Sequence, residues 1–584
     1  MKYLYLALID HDHRWEAAGT AEAISLLREM DMHERFACSD AKIFVSSDTP
    51  TFPLPHGGLV IGHLFLRSGV RVRDCSQFPL PRLDSREQVR KHVLENCWGE
   101  YLLIQPGPEG KLGLVATRSP SASGDLACVY ELQRGSGIIT SDISLAMRLG
   151  LYRSRIDWGY IEERLAYPNL KAGRTGLLNV RELLPGSALH LNERAVSIEQ
   201  VWSPWDFVAT GSRYRELDEA ASNLRLAAEQ VVRAWADADE SILLEVSGGL
   251  DSSIVGACLR GTNARVACCT VATPVPGADE RQYASLIAEI LDVKLCVQQL
   301  RIEDARVDFS LPPQYITPRM GPLQQVIDDV MQIEGDRHDV ASYVSGGGGD
   351  TVFAYLRTAA PAADAFRERG LSAAAASVRD LSELHQCTLW KAARLTIWKL
   401  LRAPPPPYST DRSFLAKLHV ARPTEIHPWC VAPAGALPGD RERIYDLAVT
   451  QVYRDAIPRA TKRQLRMPLL SQPVMEACLK VPCWMWISGG RNRSVARAAF
   501  ADLLPPEILT RRSKGTFMSY LGAVYQKNKQ QIGTFLQTGH LQAKGLLDTD
   551  ALRRFMDRDL PSRDRTFIRL LDLCMVENWI RHQS

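Results

Sequence analysis

Positions 243–253 carry the string Leu243-Leu244-Glu245-Val246-Ser247-Gly248-Gly249-Leu250-Asp251-Ser252-Ser253. The apolar run at 242–246 is typical of a short buried strand, and the segment 251–259 predicts a helix that ends near Gly261. Glycines let the backbone approach an anion closely, and the N–H groups at a helix start hold phosphate oxygens together with serine hydroxyls. The string therefore predicts a phosphate-binding strand–loop–helix unit.

Asp251 indicates what kind of phosphate this loop would bind. A carboxylate repels a bare phosphate, so Asp251 is useful there only if a divalent cation lies between the two. A plainer interpretation is a tight turn in which Asp or Ser caps the helix. The complete segment 247–253 between a strand and a helix favours the nucleotide. It is not a Walker A loop, because the Gly-Lys pair at 110–111 is followed by leucine.

Strands alternate with helices on both sides of this loop. The periodicity predicts strands at 242–246, 265–271, 293–300 and 341–345 and helices at 213–236, 251–259 and 280–291. Such alternation predicts a doubly wound parallel sheet covered on both faces, with ligands bound at the carboxyl ends of its strands. The second glycine-rich loop, 346–349, also follows a predicted strand. Added helices are expected over 355–500.

Residues 1–205 have a different pattern. Short alternating apolar runs punctuated by Gly and Pro predict mostly strands and turns, with runs at 3–8, 58–66, 100–105, 112–117 and 137–140. A chain of 584 residues is too long for one core. We therefore predict a two-domain α/β and α+β protein with domains 1–205 and 206–584, divided near Trp202–Trp205.

Composition excludes several classes of protein. A net charge of +3 does not indicate a nucleic-acid binder. No apolar run is long enough to predict a membrane span, and the N-terminus does not resemble a secretory signal. The 13 cysteines are scattered without a C-x-x-C pair, which argues against a disulfide scaffold or a zinc module. A cytoplasmic location is the expectation.

Several segments resemble known families. Residues 247–253 are similar to the signature of the N-type ATP pyrophosphatases, which cleave ATP between the α- and β-phosphates. Other segments resemble the asparagine synthetase-like amide ligases of that class, namely 345–350, 466–470, 497–509 and 512–515. The N-terminal third resembles their glutaminase domain, an Ntn-type αββα fold, at 98–101, 118–120, 140–143 and 184–186.

The departures from this family affect the expected substrate. The family's glutaminase uses an N-terminal cysteine, but this chain begins Met1-Lys2-Tyr3 and its first cysteine is Cys38. We therefore expect a degenerate glutaminase-like domain without activity. Gly347 replaces a glutamate of the second loop, and Thr351 and Ser471 replace two further carboxylates. Loss of the glutamate side chain is expected to open space near the acyl group for a bulky substrate.

An inactive glutaminase-like domain, a retained ligase domain and a glycine-rich second loop together resemble the lasso peptide cyclases. The resemblance implies an enzyme that uses ATP and Mg²⁺ to adenylate an Asp or Glu side chain of a precursor core peptide. The peptide's N-terminal amine then closes a macrolactam, with release of AMP and pyrophosphate. A leader-binding element and a leader peptidase are the further partners it implies.

The resemblance also implies roles for individual residues. Asp251, Asp350 and Lys514 would be catalytic, with Asp251 and Asp350 binding Mg²⁺. ATP would be held by a larger set, namely Ser247, Gly248, Gly249, Asp251, Ser252, Ser253, Val271 and Gly346. Asp350 could instead cap a turn, but two carboxylates after two strand-end loops favour a shared metal. Lys514 could be a surface lysine, since most lysines are exposed.

Two other functions stay open at this point. One is a small-molecule amide ligase, such as an ammonia-dependent asparagine synthetase or a β-lactam synthetase. Gly347 argues against both, because they need a side chain there. The other is a binding protein without catalytic activity, against which the retained Asp251, Asp350 and Lys514 argue.

Overall fold

The computed structural model shows a mixed α/β protein of two domains. It describes residues 3–10, 18–78, 83–107, 113–122, 126–192, 195–275, 279–355, 357–416, 422–455, 457–512, 515–559 and 564–583. Across these ranges, no helix combines the length and the apolar character that crossing a bilayer requires.

The first part of the chain forms antiparallel strands and four helices. The strands are β1 (Tyr5–Ile9), β2 (Met32–Ala37), β3 (Ala41–Ser46), β4 (Thr51–Pro53), β5 (Leu59–Leu66), β6 (Arg71–Val72), β7 (Cys97–Pro106), β8 (Gly113–Arg118), β9 (Val129–Gln133), β10 (Ser136–Thr140), β11 (Arg181–Glu182), β12 (Ser187–Asn192) and β13 (Ala195–Gln200). The helices are α1 (Ala18–Glu29), α2 (Arg86–Asn96), α3 (Ile143–Arg148) and α4 (Trp158–Ala166). The five strands predicted here from alternating apolar runs are confirmed.

These strands form two sheets that pack face to face. One has the order β11-β9-β10-β1-β3-β2 and the other β13-β12-β8-β7-β5-β4, with β6 paired to β5. Alternate residues of β1 face opposite sides: Tyr5 and Ala7 enter the core between the sheets, whereas Leu6 packs on the outer side with α1. Helix α2 covers the outer side of the second sheet. The layers are therefore α, β, β and α.

The rest of the chain contains a parallel sheet and most of the helices. Its strands are β14 (Ser241–Glu245), β15 (Arg265–Ala272), β16 (Leu295–Gln299), β17 (Ser342–Ser345), β18 (Gln464–Arg466), β19 (Ile487–Ser488) and β20 (Arg491–Asn492). The helices are α5 (Leu217–Asp239), α6 (Leu250–Leu259), α7 (Arg281–Ile290), α8 (Pro322–Arg337), α9 (Gly349–Val352), α10 (Ala360–Arg369), α11 (Leu371–Leu384), α12 (Leu389–Leu401), α13 (Pro438–Arg454), α14 (Gln472–Leu479), α15 (Ser494–Ala499), α16 (Pro506–Leu509), α17 (Met518–Gln537), α18 (His540–Ala543), α19 (Thr549–Asp557) and α20 (Phe567–Gln583).

A five-stranded parallel sheet lies at the centre of this part of the chain. Its order is β16-β15-β14-β17-β18, and all four neighbouring pairs are parallel. Leu244 of β14 packs against Gly256 of α6, whereas the next residue, Glu245, points to the other face. There Glu245 pairs with Arg459, which also contacts Asp328 of α8. Helices therefore cover both faces of the sheet.

Strand order reverses between β14 and β17. The chain moves from β14 outward to β16 on one side and from β17 to β18 on the other. Ligands bind at such a switch point, outside the carboxyl ends of the strands. The loops 246–249 and 346–348 follow β14 and β17 there, as predicted. Strand β18 was not predicted, because three residues that include a buried arginine have no apolar pattern.

Arg466, the last residue of β18, ties the two parts of the chain together. It is fully buried and pairs with Glu100 of β7 at 2.9 Å and with Asp239 of α5 at 3.0 Å. Its guanidinium also lies 4.0 Å from the ring centroid of Trp235. A buried charge is stable only with such partners. The network therefore fixes the start of segment 466–470 relative to the antiparallel sheets. The predicted domain boundary at 205 lies between β13 and α5 and stays a prediction.

Candidate active site

The loop after β14 has the shape that its small residues require. Gly248 adopts a left-handed backbone with φ of +65°, and a Cβ there would lie 2.5 Å from the Cβ of Tyr283. Gly249 is the N-cap of α6, and its carbonyl accepts a hydrogen bond from the Ser253 hydroxyl at 2.8 Å. The Ser252 hydroxyl accepts from the Ser247 N–H at 3.2 Å. Serines 247, 252 and 253 thus line one turn at the helix start.

The second glycine loop packs directly against the first. A Cβ at Gly346 would collide with the backbone nitrogen of Ser252, and one at Gly349 would collide with the side chain of Asp251. Gly348 has a positive φ of +84° and caps α9. Only residues without side chains permit this approach. The structure therefore brings together the two loops, and with them Asp251 and Asp350.

Arg493 joins these two carboxylates. Its Nη1 lies 2.8 Å from Asp251 Oδ1 and 3.0 Å from Asp350 Oδ1. Arg493 has a left-handed backbone with φ of 56°, which is uncommon outside glycine, and its guanidinium lies over the ring of Tyr355. No local sequence pattern identifies Arg493 as a site residue, because it is more than 140 residues from Asp350 along the chain. Arg493 is the N-cap of α15, so the start of this helix forms one side of the site.

The two carboxylates fit a hard divalent cation. Both Oδ1 atoms lie within hydrogen-bond distance of one nitrogen, so they already converge on a single positive charge. Mg²⁺ prefers one or two carboxylates together with phosphate and water oxygens. Asp251 is buried, whereas the Asp350 side chain is 44% exposed and can reach a ligand in solvent. The predicted metal-binding pair is therefore placed together, and its occupancy stays a prediction.

Lys514 lies outside the described residues, but both flanks of its segment are held beside the first loop. Arg511 donates to the Gly248 carbonyl at 3.0 Å and pairs with Glu280 at 2.6 Å. The Gly515 N–H donates to the same Glu280 carboxylate at 2.9 Å. Glu280 and Arg511 are further residues that the sequence analysis missed. Their contacts hold Arg511 and Gly515 at the mouth of the loop.

Arg497 supports the same segment from α15. It donates to the carbonyls of Leu509 and Arg511, the latter at 3.3 Å. Burial, followed by the charges of Arg493 and Arg491, lowers the pKa of Arg497 to about 10. Arg497 is therefore still protonated at neutral pH, and it adds positive charge behind the predicted phosphate site.

Val271 lies near the carboxyl end of β15, one strand from the first loop. Its half-buried side chain packs against a small apolar cluster that contains Leu300, Val326 and Tyr520. This places Val271 on the edge of the sheet where a nucleotide would lie. That Val271 and Gly346 bind ATP stays a prediction.

The space beside Gly347 is not simply open, and that expectation needs correction. A Cβ at Gly347 would lie 3.2 Å from Sδ and 3.3 Å from Cε of Met467. Met467 comes from the segment that Arg466 fixes, so its flexible thioether occupies part of the volume of the missing side chain. Thr351, which replaces the next carboxylate, hydrogen-bonds Thr450 of α13 at 2.7 Å.

A cavity of about 500 Å³ lies between α8, α13, α17 and α20, and its lining includes no residue of either glycine loop. Leu323 and Leu521 line it on one side, and Leu323 packs against the same apolar cluster as Val271. On another side it is lined by Tyr453, one helical turn from Thr450 on α13. Its volume lies within the roughly 300–1,000 Å³ of pockets that take drug-sized ligands.

A doubly wound sheet with two touching glycine loops at its switch point defines an α/β protein of the nucleotide-binding class. A model of the asparagine synthase family matches residues 223–581, and the chain belongs to this family. It is therefore an ATP-dependent, AMP-forming carbon–nitrogen ligase that makes an amide bond.

Solved structures add little to this assignment. One similar structure is titled as the allosteric regulatory enzyme of purine biosynthesis, with 11% identity, coverage of 53% of this chain and 76% of that chain, and a TM-score of 0.20. Another is a glutamine phosphoribosylpyrophosphate amidotransferase from B. subtilis complexed with ADP and GMP, with 10% identity, coverage of 60% and 71%, and a TM-score of 0.19. Scores this low carry no argument. Comparison with curated proteins gives no match.

Proposed function

We propose that this ligase is a macrolactam synthetase of the lasso peptide cyclase type. It adenylates an Asp or Glu side chain of a precursor peptide and joins it to the peptide's N-terminal amine. The observation that carries the proposal is the second loop, where Gly347 has no side chain and the nearest neighbour of an added Cβ would be the flexible Met467 thioether. The absence of a charged side chain at this position favours a bulky acyl substrate, such as a peptide, over a single amino acid.

The reaction has two steps. A carboxylate oxygen of the peptide attacks the α-phosphorus of ATP, the α–β phosphoanhydride breaks, and pyrophosphate leaves. The amine nitrogen then attacks the acyl carbon, AMP leaves with the bridging oxygen, and the ammonium proton goes to solvent. An α-amino group has a pKa of about 7.7–8.0, so part of it is neutral without a dedicated base. Holding the amine in the same peptide gives it a high effective concentration.

The residues of the site divide these tasks. Ser247, Ser252 and Ser253 and the amides of the first loop bind phosphate oxygens. Asp251 and Asp350 would hold Mg²⁺, which would supply positive charge to offset that of the phosphates. Lys514 stabilises the negative charge that develops as each bond breaks. Arg511 and Gly515, which flank Lys514 in the sequence, both contact Glu280 beside the first loop, and this supports the proposed role.

The N-terminal domain is proposed to be an inactive glutaminase-like scaffold. Its αββα layering supports the likeness. Burial raises the thiol pKa of each of its cysteines, Cys38, Cys75, Cys97 and Cys128. Glutamine hydrolysis needs a thiolate, and none of these thiols is activated. The nitrogen of the new amide would therefore come from the N-terminal amine of the peptide itself. A leader-binding element and a leader peptidase would prepare that peptide.

The test is a reaction with ATP, Mg²⁺ and the leader-free precursor peptide. The expected product is a peptide that has lost one water, with one AMP formed for each ring. A matched peptide with Asn or Gln at the acceptor carboxylate should give neither. Asparagine and AMP from aspartate plus ammonia, with an unchanged peptide, would overturn the proposal in favour of a small-molecule ligase.

A further inference from the structure

Cys296, Glu334 and His338 place a thiol, a carboxylate and an imidazole around one point. Cys296 Sγ lies 3.4 Å from His338 Nε2, which lies 3.6 Å from Glu334 Oε2. All three ligand atoms lie within 4.8 Å of one another. Cys296 belongs to the edge strand β16, and Glu334 is one helical turn from His338 where α8 ends.

These separations match a tetrahedral metal site. Zinc binds sulfur at about 2.3 Å and nitrogen or oxygen at about 2.0–2.2 Å. A tetrahedral angle then separates neighbouring ligand atoms by about 3.4–3.6 Å. The Cys296–His338 and His338–Glu334 distances therefore leave room for such a cation without movement of the backbone.

Glu334 provides a second and independent indication. Its side chain is fully buried, and Oε1 accepts from Gln298 at 2.5 Å and from Arg337 at 2.6 Å. Within the described part of the chain, Oε2 has no hydrogen-bond partner. An unsatisfied buried carboxylate oxygen costs free energy. This oxygen points toward His338, where a cation would satisfy it.

We infer that Cys296, Glu334 and His338 bind a thiophilic divalent cation, with Zn²⁺ as the best match. A thiolate and an imidazole select zinc over Mg²⁺ or Ca²⁺, which prefer oxygen ligands. The half-exposed Cys296 and His338 leave a fourth position for water. The site lies on the sheet face that α8 covers, opposite α6 and its Asp251.

Electrostatics sets the expected strength of this site. Burial, followed by the Glu334 carboxylate, raises the pKa of the Cys296 thiol. Binding of a cation therefore releases a proton. Lys294 and Arg337 add positive charge nearby, which favours the thiolate but repels the metal. The affinity should lie below that of a closed site with four protein ligands. Bound zinc would fasten the edge strand β16 to the end of α8.

Cobalt titration tests the inference through a signal specific for thiolate. The reduced, chelator-treated full chain is titrated with Co²⁺ alone and then with Zn²⁺ alone. We expect one equivalent of Co²⁺ with a thiolate charge-transfer band that Zn²⁺ abolishes. Cys296→Ser should lose the band, and His338→Ala should weaken binding by at least the roughly 10- to 100-fold that an outer-shell loss costs. Cys387→Ser, at another half-buried cysteine, is the matched control.

A wild-type chain without the band, or a band that survives Cys296→Ser, would overturn the inference. A second measurement needs no variant. Zn²⁺ should protect Cys296 from alkylation in mass spectra, whereas the half-buried Cys38, Cys75 and Cys387 should react equally with and without zinc. Equal labelling of Cys296 under both conditions would also contradict zinc binding.

Discussion

Asp251, Asp350 and Arg493 form the smallest unit of the candidate active site. Two carboxylates lie within 3.0 Å of one guanidinium nitrogen at the place where the sequence predicts Mg²⁺. Like charges at this separation repel, so the pair is stable only with a cation between them. Arg493 can act as that cation, and Mg²⁺ with nucleotide can take its place.

Asp350→Asn tests the catalytic role of the more exposed carboxylate. The variant should form AMP roughly 100-fold more slowly, about the loss expected when one charge-stabilising group is removed. Its melting temperature should stay close to wild type, because the Asp350 side chain is partly exposed and Asn keeps its size. Asp304→Asn, at an exposed carboxylate outside the site, should be fully active. Normal turnover by Asp350→Asn would exclude Asp350 from the metal site.

Arg493→Ala tests the competition between arginine and metal. Without the guanidinium, Asp251 and Asp350 lack their shared cation, so Mg²⁺ should raise the melting temperature of the variant more than that of wild type. Arg491→Ala removes an exposed neighbouring charge and should respond as wild type does. If Mg²⁺ raised the melting temperatures of wild type, Arg493→Ala and Arg491→Ala by the same amount, Arg493 would not be neutralising the two carboxylates.

At the level of loops and strands, the two glycine loops work as a pair because their backbones touch. A Cβ at Gly346 meets the backbone nitrogen of Ser252, which cannot move without shifting α6. A Cβ at Gly347 meets only the flexible Met467 side chain at 3.2 Å. An added methyl group should therefore destabilise the folded protein more at Gly346 than at Gly347.

Gly346→Ala and Gly347→Ala form a matched pair. Gly346→Ala should separate the loops and lower both ATP affinity and melting temperature, with a loss of stability on the order of 1–3 kcal/mol typical of overpacking. Gly347→Ala should have an ATP affinity and a melting temperature close to those of wild type. Differential scanning fluorimetry with and without ATP measures the effect. Equal behaviour of the two variants would contradict the close loop contact.

Sequence periodicity was sufficient to predict most of the strands and helices around the two glycine loops. The alternation of apolar strands with amphipathic helices predicted β14 to β17 with shifts of one or two residues at their ends, and the strand-end rule placed both loops. It could not identify β18 or Arg493. Strand β18 has three residues, and its register depends on buried pairing of Arg466 with distant carboxylates. Arg493 reaches Asp251 only through the tertiary fold, which no local pattern reports.

Across the whole molecule, burial of charge makes stability depend on pH. Asp328 of α8 is buried, with Arg459 at 3.4 Å as its ion-pair partner. Burial raises the pKa of Asp328 from 3.8 to about 7, and Arg459 offsets only part of that effect. The folded state therefore keeps a proton that the unfolded chain releases, and stability falls as pH rises through this window.

Asp328→Asn should remove that dependence. The free energy of unfolding of the variant should exceed that of wild type by a margin that grows from about pH 4 to pH 7, by about 1.4 kcal/mol per pH unit, and then levels off. Urea unfolding at several pH values measures it. Asp304→Asn, at an exposed carboxylate, should follow wild type. A constant difference across this range would show that Asp328 is ionised in the folded protein at all of these pH values.

The most direct measurement follows an oxygen atom through the reaction. The precursor peptide is prepared with heavy oxygen in the side-chain carboxylate of its acceptor Asp or Glu and is incubated with enzyme, ATP and Mg²⁺. Attack of that carboxylate on the α-phosphate predicts cyclic peptide and AMP that carries one heavy oxygen. Unlabelled AMP, or label in inorganic phosphate beside ADP, would contradict adenylation of the peptide.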